Sequence, residues 1–202
     1  MLSMVGPALL IPLYVQNALG LSALLSGLVI MPGAIINGIM SVFTGKFYDK
    51  YGPRPLIFTG FILLISCTFL LCFLKVDTSY TYLIVIYAIR MFAVSLLMMP
   101  INTTGINALK TEDISHGTAI MNFGRVMAGS LGTALMVTFM SIGAQWVVSS
   151  REHASKEMIQ RQSVAVGVDV SFALVTVFVI IAFVLALFIK EPNHLTHNSR
   201  KV

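Results

Sequence analysis

Arg90 and Arg125 ask for a chemical explanation, because each stands inside a long apolar run of this 202-residue chain. A guanidinium stays protonated and offers five N–H donors in a fixed fork. At the centre of a helix in hydrocarbon it costs about 2.5–3.5 kcal/mol, so it must meet water, carbonyl oxygens or an acid. Arg90 has two readings: it lines a wet cavity, tuning its charge or pairing with an acid on another helix, or it bonds structurally to carbonyls and polar neighbours. Arg125 has Asn122 three residues away on the same helical face and glycines after it. A structural role for Asn122 and Arg125 therefore stands beside a coupling role. The remaining polar side chains in apolar runs are also grouped. Tyr14, Gln16, Asn17, Arg90, Asn102 and Thr103 together form a candidate lining for a substrate cavity.

Bond-making chemistry finds little support. There is no G-x-S-G and no helical histidine to pair with a serine, which argues against an enzyme. Asp49, Asp77, Glu112, Asp113, Glu152, Glu157 and Glu191 all fall in expected loops or tails. Asp169 borders the last apolar run, where a capping role is expected. No proton carrier is evident within the expected spans. Cys67 and Cys72 sit on an apolar run and read as fillers. His116, His153, His194 and His197 lack the thiol and acidic companions that a metal site needs. No metal or cofactor is expected.

The elements that must position these side chains follow from composition. Apolar residues make up 57% of the chain and charged residues 10%, against about 25% charged in a soluble domain. The solvent of such a chain is lipid, and its net charge of +5 is no pointer to nucleic acid. Crossing hydrocarbon takes about 20 apolar residues as a helix. Six runs are expected to be helices, at about residues 1–15, 23–43, 56–74, 80–107, 117–146 and 168–189. The expected class is an all-α membrane protein, a six-transmembrane-helix bundle. The unalternating VTVFVIIAFVLALFI argues against barrel strands. Polarity sorts the helices. The first and fourth are expected to wall a cavity. The second and fifth, rich in small residues, are expected to pack, and the third and sixth to face lipid.

GKFYDKYGPRP, residues 45–55, gathers Lys46, Lys50, Arg54 and Asp49 with two glycines and two prolines. It reads as a charged loop after the second helix. Cations favour the cytoplasmic side. Alternate loops carry Lys46, Lys50, Arg54, Lys110, Lys190, Arg200 and Lys201 on one side, and Lys75, Arg151, Lys156 and Arg161 on the other. The larger set, with both termini, is expected in the cytoplasm. Residues 147–167 are then an outer loop, in which Glu152 and Lys156 have the spacing of a short surface helix.

This stretch resembles the loop signature G-x-L-x-D-R-x-G-R-[KR] of the major facilitator superfamily. Gly45, Asp49, Lys50, Gly52 and Arg54 match or nearly match. Phe47 stands where Leu is usual, and Pro53 where a base is usual. LLIPLYVQNALGLSALLSGLVIMPGAI and GTAIMNFGRVMAGSLGTAL resemble runs of the multidrug drug:proton antiporter branch with fourteen spans, the EmrB/QacA type. The resemblance covers nearly the whole chain, as the C-terminal six-helix half of a longer transporter. It implies proton-coupled multidrug efflux by alternating access in the cell membrane, with small amphiphilic or cationic drugs and protons as cargo. It also implies a partner N-terminal half that is not in this chain. Residues Gly45, Asp49, Lys50, Gly52 and Arg54 would form a gating loop, its carboxylate latching the halves together. The coupling acid is then expected in the other half. The alternative is a truncated membrane fragment or interaction partner that transports nothing.

Overall fold

The computed structural model describes residues 2–75, 78–107, 109–150 and 156–188. Asp77, Arg151, Glu152, His153, Lys190, Glu191, His194, His197, Arg200 and Lys201 lie outside them, and so do the expectations placed on those residues. Six α-helices follow one another: α1 (Leu2–Asn17), α2 (Ala23–Tyr51), α3 (Pro53–Leu70), α4 (Tyr80–Asn107), α5 (Ile114–Ser150) and α6 (Lys156–Leu187). Single 3-10 turns lie at Leu71–Phe73 and Thr111–Asp113, and there is no strand among the described residues. The five helices α2 to α6 are long and apolar enough to cross a membrane.

Local chemistry sets the boundaries. Ser22 caps α2, its Oγ accepting from the Leu25 N–H at 3.4 Å. α2 does not stop at residue 43 as expected. It runs through the charged stretch to Tyr51, because Lys46 to Tyr51 contains no glycine or proline, and Lys, Phe, Tyr and Asp are all admissible in a helix. The stop is Gly52, at φ 76°, whose N–H bonds back to the Tyr48 carbonyl at 2.9 Å. Only glycine takes that conformation cheaply. Pro53 then opens α3 at its first position, where a missing N–H costs nothing. The expected loop is thus a one-residue corner. α6 likewise begins at Lys156 rather than near residue 168, since KEMIQRQSVAV is polar without being helix-breaking. At 1.5 Å per residue α2 is about 43 Å long, longer than a hydrocarbon core of about 30 Å.

α4 packs against α2 and α3, α5 against α6 and α1, and α3 against α6. Hydrogen bonds ladder α2 to α4. The Tyr80 hydroxyl donates to the Leu25 carbonyl at 2.9 Å, Asn37 Nδ2 donates to the Met91 carbonyl at 3.2 Å, and the Thr44 and Ser95 hydroxyls lie 3.5 Å apart. α5 and α6 touch backbone to backbone: a Cβ on Gly167 would lie 2.3 Å from the Met140 carbonyl oxygen, and one on Gly143 would lie 2.9 Å from the Gly167 Cα. Two apolar clusters fill the interior. One gathers Tyr14, Leu71, Leu83, Tyr87, Val168 and Phe172 toward the α1–α2 turn. The other gathers Leu10, Phe61, Leu64, Leu97, Met136 and Val179.

Candidate functional site

A cavity of about 640 Å³ opens between α4 and α5. α4 supplies Val94, Leu97, Met98, Ile101 and Asn102, and α5 supplies Met121, Gly124, Arg125, Ala128, Leu131, Gly132 and Leu135. Behind them stand Phe61 and Leu64 of α3 and Phe178, Val179 and Ala182 of α6, with Ser3 and Met4 of α1 at one edge. The small residues Gly124, Ala128 and Gly132, one helical turn apart, leave the room that larger side chains would fill. A Cβ on Gly124 would meet nothing within 4 Å. The wall is apolar apart from Ser3, Asn102 and Arg125. Arg125 Nη2 donates to Asn102 Oδ1 at 2.6 Å, tying α5 to α4 across the cavity. Such a short contact is typical of a charge-assisted bond.

The candidate lining residues fall in three places. Asn102 lies on the cavity, and Thr103 beside it is half-buried but not among the lining residues. Tyr14, Gln16 and Asn17 lie at the other end of the bundle. The buried Tyr14 hydroxyl donates to the Lys75 carbonyl, while the exposed Gln16 donates from Nε2 to Ser26 Oγ at 3.0 Å. Asn17 is exposed. Arg90 is 0% exposed, lies beside Tyr87 and Cys67, and is not among the lining residues. Its Nε, Nη1 and Nη2 all lack a hydrogen-bond partner among the described residues. Arg125 lines the cavity, and Asn122 is exposed on α5.

The residues of the charged signature surround the α2–α3 corner. Gly45 sits inside α2, where a Cβ would lie 3.1 Å from the Met99 methyl. Asp49, Lys50 and Arg54 are exposed, and Gly52 is the corner itself. Lys46 lies over the Phe43 ring at 5.9 Å and Lys50 over the Tyr51 ring at 5.1 Å. With Ile35, Ile39 and Val42, the rings of Phe43, Phe47 and Tyr51 leave an exposed apolar face on α2.

Asp169 differs from its expected capping role. α6 starts well before it, so it cannot cap that helix. Instead Asp169 Oδ1 accepts from the Leu74 N–H at 3.1 Å, satisfying a donor just beyond the 3-10 turn that follows α3. It is half-buried, whereas Asp49, Glu112 and Asp113 are exposed. The apolar wall from α3 and α6 departs from the expectation that both helices face lipid alone. Those helices carry no polar stripe, and apolar side chains facing a cavity cannot be told in sequence from those facing lipid.

A bundle of long apolar helices enclosing a cavity with a single polar tie defines a multi-pass membrane protein. The model of the Major Facilitator Superfamily matches residues 1–133, and the chain belongs to that superfamily. Over 185 residues it is 37% identical to the lincomycin resistance protein LmrB of Listeria monocytogenes, covering 92% of this chain and 39% of that one. Over 129 residues it is 47% identical to the MFS-type transporter YhcA of Bacillus subtilis, covering 64% and 24%. Over 134 residues it is 29% identical to the multidrug export protein EmrB of Escherichia coli, covering 66% and 26%. The chain spans about two fifths of the length of the LmrB relative.

Proposed function

We propose that this chain forms the C-terminal six-helix half of a proton-driven multidrug exporter of the cell membrane. It works by alternating access against an N-terminal half, with both termini in the cytoplasm. The observation that carries the reading is the cavity between α4 and α5, of a size that suits a small molecule and crossed by the Arg125–Asn102 bond. Transporters built from repeated helical units hold substrate between those units near the midplane and rock about it. The exposed apolar face of α2, ending at the Gly52 corner with Asp49, Lys50 and Arg54, suits a moving contact with the other half. The names of the resistance and export relatives support small amphiphilic drugs as cargo.

Drug accumulation tests this. Cells expressing the chain together with its upstream half are expected to hold less of at least one of a panel of fluorescent amphiphilic drugs than cells without either. A protonophore is expected to abolish the difference, and the chain alone to produce none. Unchanged accumulation with both segments present would make the chain a non-transporting membrane protein. Efflux that persists under the protonophore would remove the proton from the mechanism.

A further inference from the structure

We propose that the ligand of this cavity carries an anionic head on an apolar body, and that Arg125 receives the head. The inference rests on the efflux reading and narrows its cargo. Among the described residues Arg125 is the only ionisable one lining the cavity, and no carboxylate of theirs stands there to hold a cation. The elements around it supply none either. α1, α3 and α4 contain no acid, and Glu112 and Asp113 lie just before α5. Asp113 is twelve residues from Arg125, about 18 Å at helical rise. On α6, Asp169 is nine residues from the lining residue Phe178, about 13 Å along the axis, and is bonded to Leu74. Among the described residues a cationic drug would meet like charge here and no counter-charge.

The geometry of Arg125 favours an anion. Its bond to Asn102 uses Nη2. Nη1 and Nε remain to offer protons to a carboxylate, sulfonate or phosphate, the acceptors that match the guanidinium fork. The side chain is half-buried between apolar walls, where a charge attracts its opposite more strongly than in water. Beside it the open space over Gly124 and Ala128 gives an apolar body somewhere to lie. Amphiphilic anions have two sources, a soluble compound or an anionic lipid of the bilayer, and both share this chemistry.

The test uses the transporter, this chain with its upstream half, in phosphatidylcholine nanodiscs. The probes are two radiolabelled naphthyl amphiphiles with the same ring, one a sulfonate and one a trimethylammonium, read by scintillation proximity. The sulfonate is expected to bind more tightly. Arg125→Gln is expected to weaken it about tenfold or more without weakening the ammonium, and Arg125→Lys to keep part of the preference. Gly124→Leu, which fills the cavity, is expected to weaken the sulfonate with the arginine intact. Where the Gln variant aggregates, the Lys and Leu variants carry the test. Competition by added phosphatidylglycerol would identify a bilayer lipid as the occupant, and its absence a soluble amphiphile; either result keeps the anionic head. Equal binding of both probes, or sulfonate binding indifferent to Arg125 and Gly124, overturns the proposal. Transport of the same probes into inverted vesicles separates the two readings. Arg125-dependent binding without transport defeats efflux and keeps the ligand class. Transport of the ammonium independent of Arg125 does the reverse.

Discussion

Arg125 and Asn102 join α5 to α4 by a bond of 2.6 Å between Nη2 and Oδ1, across a cavity whose walls are otherwise almost wholly apolar. The two helices touch each other little and are placed by their packing on neighbouring helices, so this bond is one of the few direct links between them. Asn102→Leu leaves the guanidinium without its acceptor in a half-buried site. A hydrogen bond to a charged group contributes about 1.5–3 kcal/mol. The variant is expected to unfold several degrees lower in a thermal scan in detergent and to confer less drug resistance. Asn102→Asp, which keeps an acceptor, is expected to retain the stability.

Arg90 presents the opposite case. It is fully buried and none of its nitrogens has a partner among the described residues. A buried charge without a partner destabilises, and apolar replacements of similar volume are often neutral or stabilising. Arg90→Met is therefore expected to unfold at the same temperature or higher. Arg90→Glu, which buries a carboxylate at the same place, is expected to lose folded yield. A large loss of thermal stability in the Met variant would contradict a destabilising role for Arg90.

Asp169 is a hydrogen-bond acceptor for the Leu74 N–H between α6 and the end of α3. Asp169→Asn keeps an acceptor oxygen, and Asp169→Leu strands the donor at a cost of about 1–3 kcal/mol. Thermal scans are expected to rank wild type and Asn close together, with Leu below. A transport assay on the Asn variant reads the other role: efflux lost with stability kept would make Asp169 a proton-carrying group, and efflux retained would leave it structural.

The α5–α6 contact gives a steric prediction. A side chain at Gly167 would overlap the Met140 carbonyl, and rigid backbone cannot yield as a flexible side chain can. Gly167→Val is expected to cost more than the usual overpacking of about 1–3 kcal/mol and to abolish folded expression. Gly124→Ala, with open space around it, is expected to express normally. Fluorescence-detected size exclusion distinguishes the two.

Much of this architecture is legible in the sequence, because a membrane enforces long apolar helices and backbone satisfaction within each helix. The six apolar runs correspond to the six helices, and Gly52-Pro53 marks a corner by the special backbone needs of both residues. The end of α2 is hidden because charge in an apolar chain signals a loop as readily as an emerging helix. Lys46, Asp49 and Lys50 are compatible with a helix that simply leaves the hydrocarbon. At the site, Asn102 and Arg125 announce themselves as costly polar groups in apolar runs. Their pairing does not, since 23 positions separate them and only the assembly of the whole bundle brings them together. The roles of Phe61, Leu64, Phe178 and Val179 are illegible for a different reason: a cavity for an amphiphile and a bilayer ask for the same side chains.

Cysteine accessibility in the transporter tests most directly whether this cavity is a wet route through the bundle. Cysteines would be placed singly at Ala128 and Ala182 on the cavity and at Leu185 on the exposed face of α6, in a background with Cys67 and Cys72 replaced. A charged, membrane-impermeant thiol reagent is expected to modify positions 128 and 182, more slowly with amphiphile bound, and to leave position 185 unmodified. Modification at 185 with 128 and 182 inert would contradict a wet route there.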